Sequence, residues 1–254
     1  MQYPKDYRKF LKTDDWEKLG QPGYESDQQK GLPRPPAEKP YPEDARLIDL
    51  VSPEDITIGN VPIKQVIGQR RSRRKYTDEP LTIEELSYLL WATQGVYRHI
   101  ERPDGRVITL RSVPSGGSLH EFETYLVINN VTGIEPGLYR YLPLKHKLLF
   151  IRSEEGLSQR AAEACCGQSF VGTGAVIFIW TVIPYRTEWR YSIVSHKVIA
   201  IDAGHVCQNL YLAAESIGAG TCAIGAYIQN QVDAILPVDG EDEFTIYIAP
   251  VGKV

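Results

Sequence analysis

Long apolar runs are missing from this sequence. No stretch of about eighteen uncharged apolar residues occurs, which excludes a membrane-spanning helix. The opening residues, MQYPKDYRKFLKTDDWEK, lack the apolar core of a secretory signal. Cysteine is scarce: the 254 residues hold four (Cys165, Cys166, Cys207, Cys222), none in the C-x-x-C spacing of a metal site. The expectation is a cytoplasmic protein with reduced thiols and no metal. An excess of basic charge is absent too. Twenty-eight Lys and Arg face 32 Asp and Glu, and the net charge of −4 argues against a chain that coats nucleic acid.

What is present is unevenly spread. Seven of the 17 prolines fall within the first 42 residues, where Gly31–Pro42 can propagate neither a helix nor a central strand. Residues 1–45 therefore read as an extended arm, with one short helix near Asp6–Leu19, and residues 46–254 as the folded domain. The arm's aromatics (Tyr3, Tyr7, Phe10, Trp16, Tyr24, Tyr41) favour packing over a disordered tail. An arm that serves only for docking would be dispensable for the rest of the chain.

From residue 60 onward helix and strand patterns alternate. Asn60 can cap a short helix carrying Ile63, Val66 and Ile67, and Thr82 with Glu85 makes a capping box ahead of Leu86, Leu89 and Leu90. Thr124–Ile128 and Ala175–Ile183 read as buried strands, and Leu138–Leu142 with Leu148–Ile151 as a hairpin. Glu155–Cys166 is amphipathic. The longest helical pattern spans 191–217, with Ile199, Ala203, Val206, Leu210, Ala213 and Ile217 on one face. Phe244–Ala249 is a final strand. Regular βαβ alternation is missing, so the expected class is α+β.

Three segments could carry chemistry. Gln69–Lys75 places five basic residues in positions 70–75 of a net-acidic chain. It reads either as a solvated face or as a phosphate site, where forked guanidinium donors match phosphate oxygens and Ser72 adds a hydroxyl. Arg111–His120 contains Pro114, Ser115, Gly116, Gly117 and Ser118, a turn whose successive N–H groups can form an anion-binding nest. Ile217–Ala226 follows the long helix. Gly218 serves there as the residue just past a helix end, while Gly220 and Gly225 suggest a backbone kept thin beside a flat ligand. Lys253 stands as an isolated cation near the end.

The order of these segments is more specific than any one of them. R-R-S-x-R, then P-S-G-G-S-L-H-x-x-E-x-Y, then G-H-x-x-Q-N, then G-x-G-T-C, then P-V-G-K resembles the nitroreductase family of FMN-dependent oxidoreductases. Within it the chain looks most like the SagB-type dehydrogenases, which include azoline oxidases. The resemblance covers about residues 60–254. It implies an α+β fold with a mixed, mainly antiparallel sheet flanked by helices, built as an intertwined homodimer with FMN at the interface. By position, Arg70 and Lys253 would pair with the FMN phosphate, and Arg71, Ser72 and Arg74 would reach the ribityl chain and pyrimidine edge. Residues 114–118 would pack on the flavin from the partner chain, and N–H groups in Ala219, Gly220 and Thr221 would face its N5 and O4, with Gly218 in the same cofactor-binding stretch.

One departure matters. Azoline-oxidising relatives often carry Lys-Tyr ahead of the long helix, whereas here Arg190 precedes Tyr191. A guanidinium stays protonated and is a poor base, so Tyr191 is the remaining proton donor or acceptor. The leading expectation is an FMN enzyme moving hydride between NAD(P)H and a small substrate. Azoline dehydrogenation with oxygen as acceptor and a non-catalytic flavin-binding partner are the alternatives. Tyr97, Tyr185, Trp189 and Tyr191 are candidate pocket aromatics.

Overall fold

The computed structural model describes residues 4–101 and 107–254; Tyr3 of the arm lies outside them. In chain order the elements are β1 (Leu47–Asp49), α1 (Ile63–Gln69), α2 (Ile83–Gln94), β2 (Val96–Glu101), β3 (Val107–Arg111), β4 (Phe122–Ile128), β5 (Gly137–Leu142) and β6 (Lys147–Arg152). They continue with α3 (Leu157–Ala164), β7 (Val176–Val182), α4 (Tyr185–Tyr191), α5 (Ser195–Ser216), β8 (Ala219–Thr221), α6 (Gln229–Asp233) and β9 (Phe244–Lys253). Seven strands form one sheet in the order β1-β6-β5-β4-β7-β9-β8, and β2 pairs with β3 separately. Every named pairing is antiparallel. Parallel character is confined to the isolated bridges Ser72–Thr221 and Leu81–Val131 among the described residues.

The central strands explain why the run at 176–182 is apolar at every position but Thr181, whose hydroxyl donates to Glu243 at 2.7 Å. Alternate side chains of a strand point to opposite faces, and both faces here are covered. Leu126, Phe178 and Trp180 join Leu86, Leu89 and Leu90 of α2 and Val206 and Leu210 of α5 in one core. Tyr125, Val127, Ile177 and Ile179 join Leu157 and Ala161 of α3 and Val232 of α6 in the other. Fully burying a side chain of this size contributes about 1.5–3 kcal/mol. The Thr82–Glu85 capping box forms in both directions and starts α2 where its apolar face begins.

Several local expectations shift. Asn60 does not cap α1; Pro62 occupies that position, and the Asn60 amide donates to Thr57 O at 2.7 Å. The helical pattern from 191 is interrupted, because Ser192 takes φ +45° between α4 and α5. The break leaves Arg190 and Tyr191 at the end of a short separate helix. The last strand runs on to Lys253, so that residue lies in the sheet rather than beyond it. The segment read as an extended arm contains the short 3-10 turns Pro4–Leu11 and Trp16–Lys18.

That segment is bound into the body. Lys39 N–H donates to Glu123 at 2.8 Å, and its ammonium pairs with Glu243 at 2.5 Å. Arg140 donates to Lys39 O at 2.7 Å and Arg111 to Ala37 O at 3.1 Å. Residues 37–40 thus cover a layer of buried charges in which Arg186 lies 2.6 Å from Glu123.

Candidate functional site

The basic run leaves α1 at Arg70, which ends the helix in extended conformation (φ −48°, ψ 128°) and turns the chain toward β8. Ser72 bridges Thr221, and Arg73 N–H donates to Thr221 O at 2.9 Å, so the run lies along the edge strand. Tyr211 of α5 is the node beneath it. Its hydroxyl lies 3.0 Å from Ser72 Oγ and accepts from Ala223 N–H at 2.8 Å, while the Arg70 guanidinium sits 5.2 Å over its ring. Among the described residues Arg71 donates only to the carbonyls of Gly68 and Arg70, and the Arg74 guanidinium lies 5.9 Å from the Phe170 ring. Among the described residues none of these three guanidiniums meets a carboxylate. Three cations gathered without counter-ions in a net-acidic chain have the donor chemistry that an anion would match.

The other two cations of the set are engaged. Arg73 pairs with Glu215 at 3.2 Å. Lys253, expected at the phosphate, pairs with Glu85, the acid of the α2 capping box, with both side chains largely buried. Its charge is already balanced there.

The glycine-rich stretch after α5 also sorts differently from the sequence reading. Gly218 has φ +69° and ends the helix as expected. Gly220 is explained within the chain. A Cβ there would stand 2.4 Å from Arg73 Cγ and 2.7 Å from Val254, so the basic run itself demands the thin backbone. Ala219, Gly220 and Thr221 are buried between β9 and residues 72–73, which removes this strand as an open row of donors. The exposed backbone lies further on. Gly225 and Ala226 are open to solvent, and their N–H groups donate to no protein acceptor among the described residues. A ligand edge can approach there.

Residues 114–118 gather at the opposite end of α5. Gly117 has φ +63° and Ser118 φ +55°, the left-handed turn the paired glycines allow. Two buried acids hold this turn. Asp202 accepts from Gly116 N–H at 2.7 Å, and Glu121 accepts from Ser115 Oγ–H at 3.4 Å. Ser115 Oγ also accepts from His120 N–H at 3.0 Å. Arg190 and Tyr191 press on its other side: a Cβ at Gly117 would lie 2.9 Å from the Tyr191 hydroxyl and 3.1 Å from Arg190 Cδ. The structure therefore unites the turn with Arg190 and Tyr191 in one chain. It separates them from the basic run, since Asp202 and Tyr211 are nine residues apart on α5, about 13 Å along the axis.

The acids under the turn carry a pH signature. Burial, with Asp202 nearby, pushes Glu121 up to about 7, and burial raises Asp202 as well. An unfolded glutamate titrates near 4.5, so between that value and about 7 the folded chain holds the extra proton. Stability contributed by that proton is lost as pH rises through this window. The stability of wild type relative to Glu121→Gln is expected to fall by about 3 kcal/mol across it, read from denaturant unfolding at several pH values. His120, which burial holds down at about 3, drives the opposite slope below 6.5 and cancels in the difference. A difference independent of pH would remove the extra proton.

The candidate aromatics divide. Trp189 is buried, with Nε1 donating to Leu32 O at 3.0 Å, and belongs to the packing. Tyr185 donates to Asp27 at 3.0 Å. Tyr97 is 63% exposed and lines a separate cleft with Tyr88, Trp91 and Ile63.

Comparison with known proteins gives this arrangement relatives. Residues 67–253 match the model of the nitroreductase family. The chain is 34% identical over 196 residues to the nitroreductase-like protein MJ1384 of Methanocaldococcus jannaschii, spanning 77% of this chain and 93% of that one. Over 133 residues it is 30% identical to the trifolitoxin-processing protein TfxB of Rhizobium leguminosarum bv. trifolii, spanning 51% of this chain and 36% of TfxB. Two solved nitroreductase-like structures superpose with TM-scores of 0.66 at 27% identity. The match spans 88% of this chain and 99% of the Ralstonia eutropha JMP134 protein; it spans 83% of this chain and 42% of the Anabaena variabilis chain.

Proposed function

The chain belongs to the nitroreductase family of oxidoreductases, matched over residues that include the basic run and both glycine-rich segments, and we propose that it is an FMN-dependent oxidoreductase. The observation that carries this reading is the cluster of Arg70, Arg71 and Arg74, which meets no carboxylate among the described residues and is tied through Tyr211 to Ala223, just ahead of the open N–H groups of Gly225 and Ala226. A phosphate and the edge of a planar ring are what such donors fit together. FMN, when bound, supplies reversible two-electron chemistry. Arg70 and Arg71 would hold its phosphate, Ser72 and Arg74 its polar chain and ring edge, and Gly225 and Ala226 the ring's acceptor atoms. Lys253 contributes through Glu85 and α2 rather than by direct contact.

A second copy of the chain completes the site in this proposal. The exposed faces of α1 and α5 present Ile63 (61% exposed), Ile67 (59%) and Ile201 (50%), an apolar surface fitted to self-association. A homodimer formed there would bring the Gly116–Gly117 turn of one copy toward the basic run of the other, across a distance that a single α5 keeps open. At that turn Tyr191 can donate or accept a proton, and Arg190 can orient and neutralise an anionic group but not act as base.

Purification tests the proposal. The protein is expected to be yellow and to release FMN on denaturation; a colourless protein that cannot be reconstituted with FMN overturns it. Anaerobic NADH or NADPH is then expected to bleach the flavin. The 30% identity to TfxB favours a second reading, dehydrogenation of a modified peptide, and a flavin that resists both nicotinamides yet is reduced by an azoline peptide would select it.

A further inference from the structure

The segment that precedes the domain ends up against the residues proposed to face substrate. Trp16 meets Tyr191 edge-on, with ring centroids 5.7 Å apart at 61°, and remains 42% exposed. Its placement is secured nearby. Gln28 N–H donates to Trp189 O at 2.8 Å, and Arg34 donates to Ser118 O, in the glycine turn, at 2.7 Å. The Lys197 ammonium donates to Leu11 O, tying the first 3-10 turn to α5. Trp16 and Tyr191 therefore stand beside the same turn that carries Arg190, whose guanidinium lies 5.5 Å from the Tyr191 ring.

Trp16 also lines a cleft between this segment and the start of α5. Phe10 and Ile193 supply apolar surface there, and Lys9, Lys12 and Lys197 supply charge. The acid in the lining, Asp15, is committed to Lys18 at 2.5 Å, and His196 bonds Glu188 at 2.9 Å. Lys12 lies 3.8 Å from Asp14. What remains is a cationic cleft with two ring faces, Phe10 (52% exposed) and Trp16. Flat rings gain from such faces, and a carboxylate or phosphate gains from the lysines.

We infer that residues 9–34 form one wall of the substrate site beside Tyr191, and that this wall takes a planar substrate bearing an anionic group, its ring against Trp16 and Phe10 and its charge toward Lys9 and Lys12. The inference rests on the flavin reading for the place where electrons arrive, but not for binding. Trp16 is a specificity residue in this scheme, since it touches substrate without taking part in the chemistry.

The test uses the flavin-loaded protein, reduced anaerobically with dithionite and mixed with 4-nitrobenzoate or with neutral 4-nitrobenzyl alcohol. Two electrons and two protons pass from reduced flavin to the nitro group, giving a nitroso group and water, and flavin reoxidation is followed by absorbance. The half-saturating concentration is expected to be about 5-fold lower for the benzoate, within the worth of a single charge-assisted contact. That preference should disappear in Lys9→Met/Lys12→Met and shrink in high salt. Trp16→Ala is expected to raise half-saturation for both compounds about 5-fold, the scale of one aromatic contact, and more than it lowers the limiting rate. Trp16→Phe should recover most of the loss. Equal half-saturation for the two compounds, or a Trp16→Ala variant with wild-type values, overturns the inference. If the protein holds no flavin, calorimetric titration with 4-nitrobenzoate decides it alone: binding lost in Trp16→Ala sustains the wall while the flavin reading falls, and absence of binding sinks the wall.

Discussion

Glu123→Ala is expected to cost about 3–5 kcal/mol, the scale for removing one partner of a buried ion pair. The melting temperature should fall by roughly 10 °C, at about 2–4 °C per kcal/mol for a chain of this length. Glu123 lies on β4 and is 2% exposed. Arg186 donates to it at 2.6 Å and Arg140 approaches at 3.8 Å, and both guanidiniums are buried to about the same degree. With the carboxylate gone, two cations remain in an interior where Arg111 is also buried and burial already lowers its pKa to about 10. Glu123→Gln is the informative companion. It keeps the volume and the acceptor for Lys39 N–H, so a loss as large as in the alanine variant assigns the effect to charge. A change under 1 kcal/mol in Glu123→Ala, measured by chemical denaturation, would show that water reaches the layer and solvates it.

Loss of cofactor retention in Arg70→Ala and Arg71→Ala is the second large effect, expected at about 10- to 100-fold per guanidinium from the 1.5–3 kcal/mol of a hydrogen bond to a charged group. The measurement is FMN affinity, by fluorescence titration of the flavin-free protein. Arg73→Met sharpens the test, because methionine keeps the stem that packs on Gly220 and removes a guanidinium committed to Glu215. Its affinity should stay close to wild type. Full retention in Arg70→Ala, or an equal loss in all three variants, would place the phosphate elsewhere.

These two expectations sit at different levels of legibility. The continuous apolar runs of β4 and β7, the Thr82–Glu85 capping box and the glycine at 218 were readable because each signal acts over a few residues. Strand β8 was not, since three residues carry no period and exist as a strand only because β9 and Ser72 flank them. The hairpin of β2 and β3 was likewise missed, as Arg98 and His99 interrupt any simple alternation. Gly220 reads in the sequence as a close approach, and within the chain the approaching group is the stem of Arg73, far off along the chain and invisible to any local pattern.

The amino-acid sequence by itself determined the fold class, the order of the motifs and the clustering of positive charge at 70–75, because these follow from local periodicity, turn chemistry and composition along the chain. Only the tertiary structure decided which cations are available. Arg73 finds Glu215 across 142 residues and Lys253 finds Glu85 across 168, and no pattern along the chain encodes such a meeting. It also turned a proline-rich segment, which composition alone presents as an appendage, into the cover of a buried charge layer. The physical reason is the same in both cases: a charge in a folded interior is governed by what topology brings within a few ångströms, and topology is a property of the whole sheet.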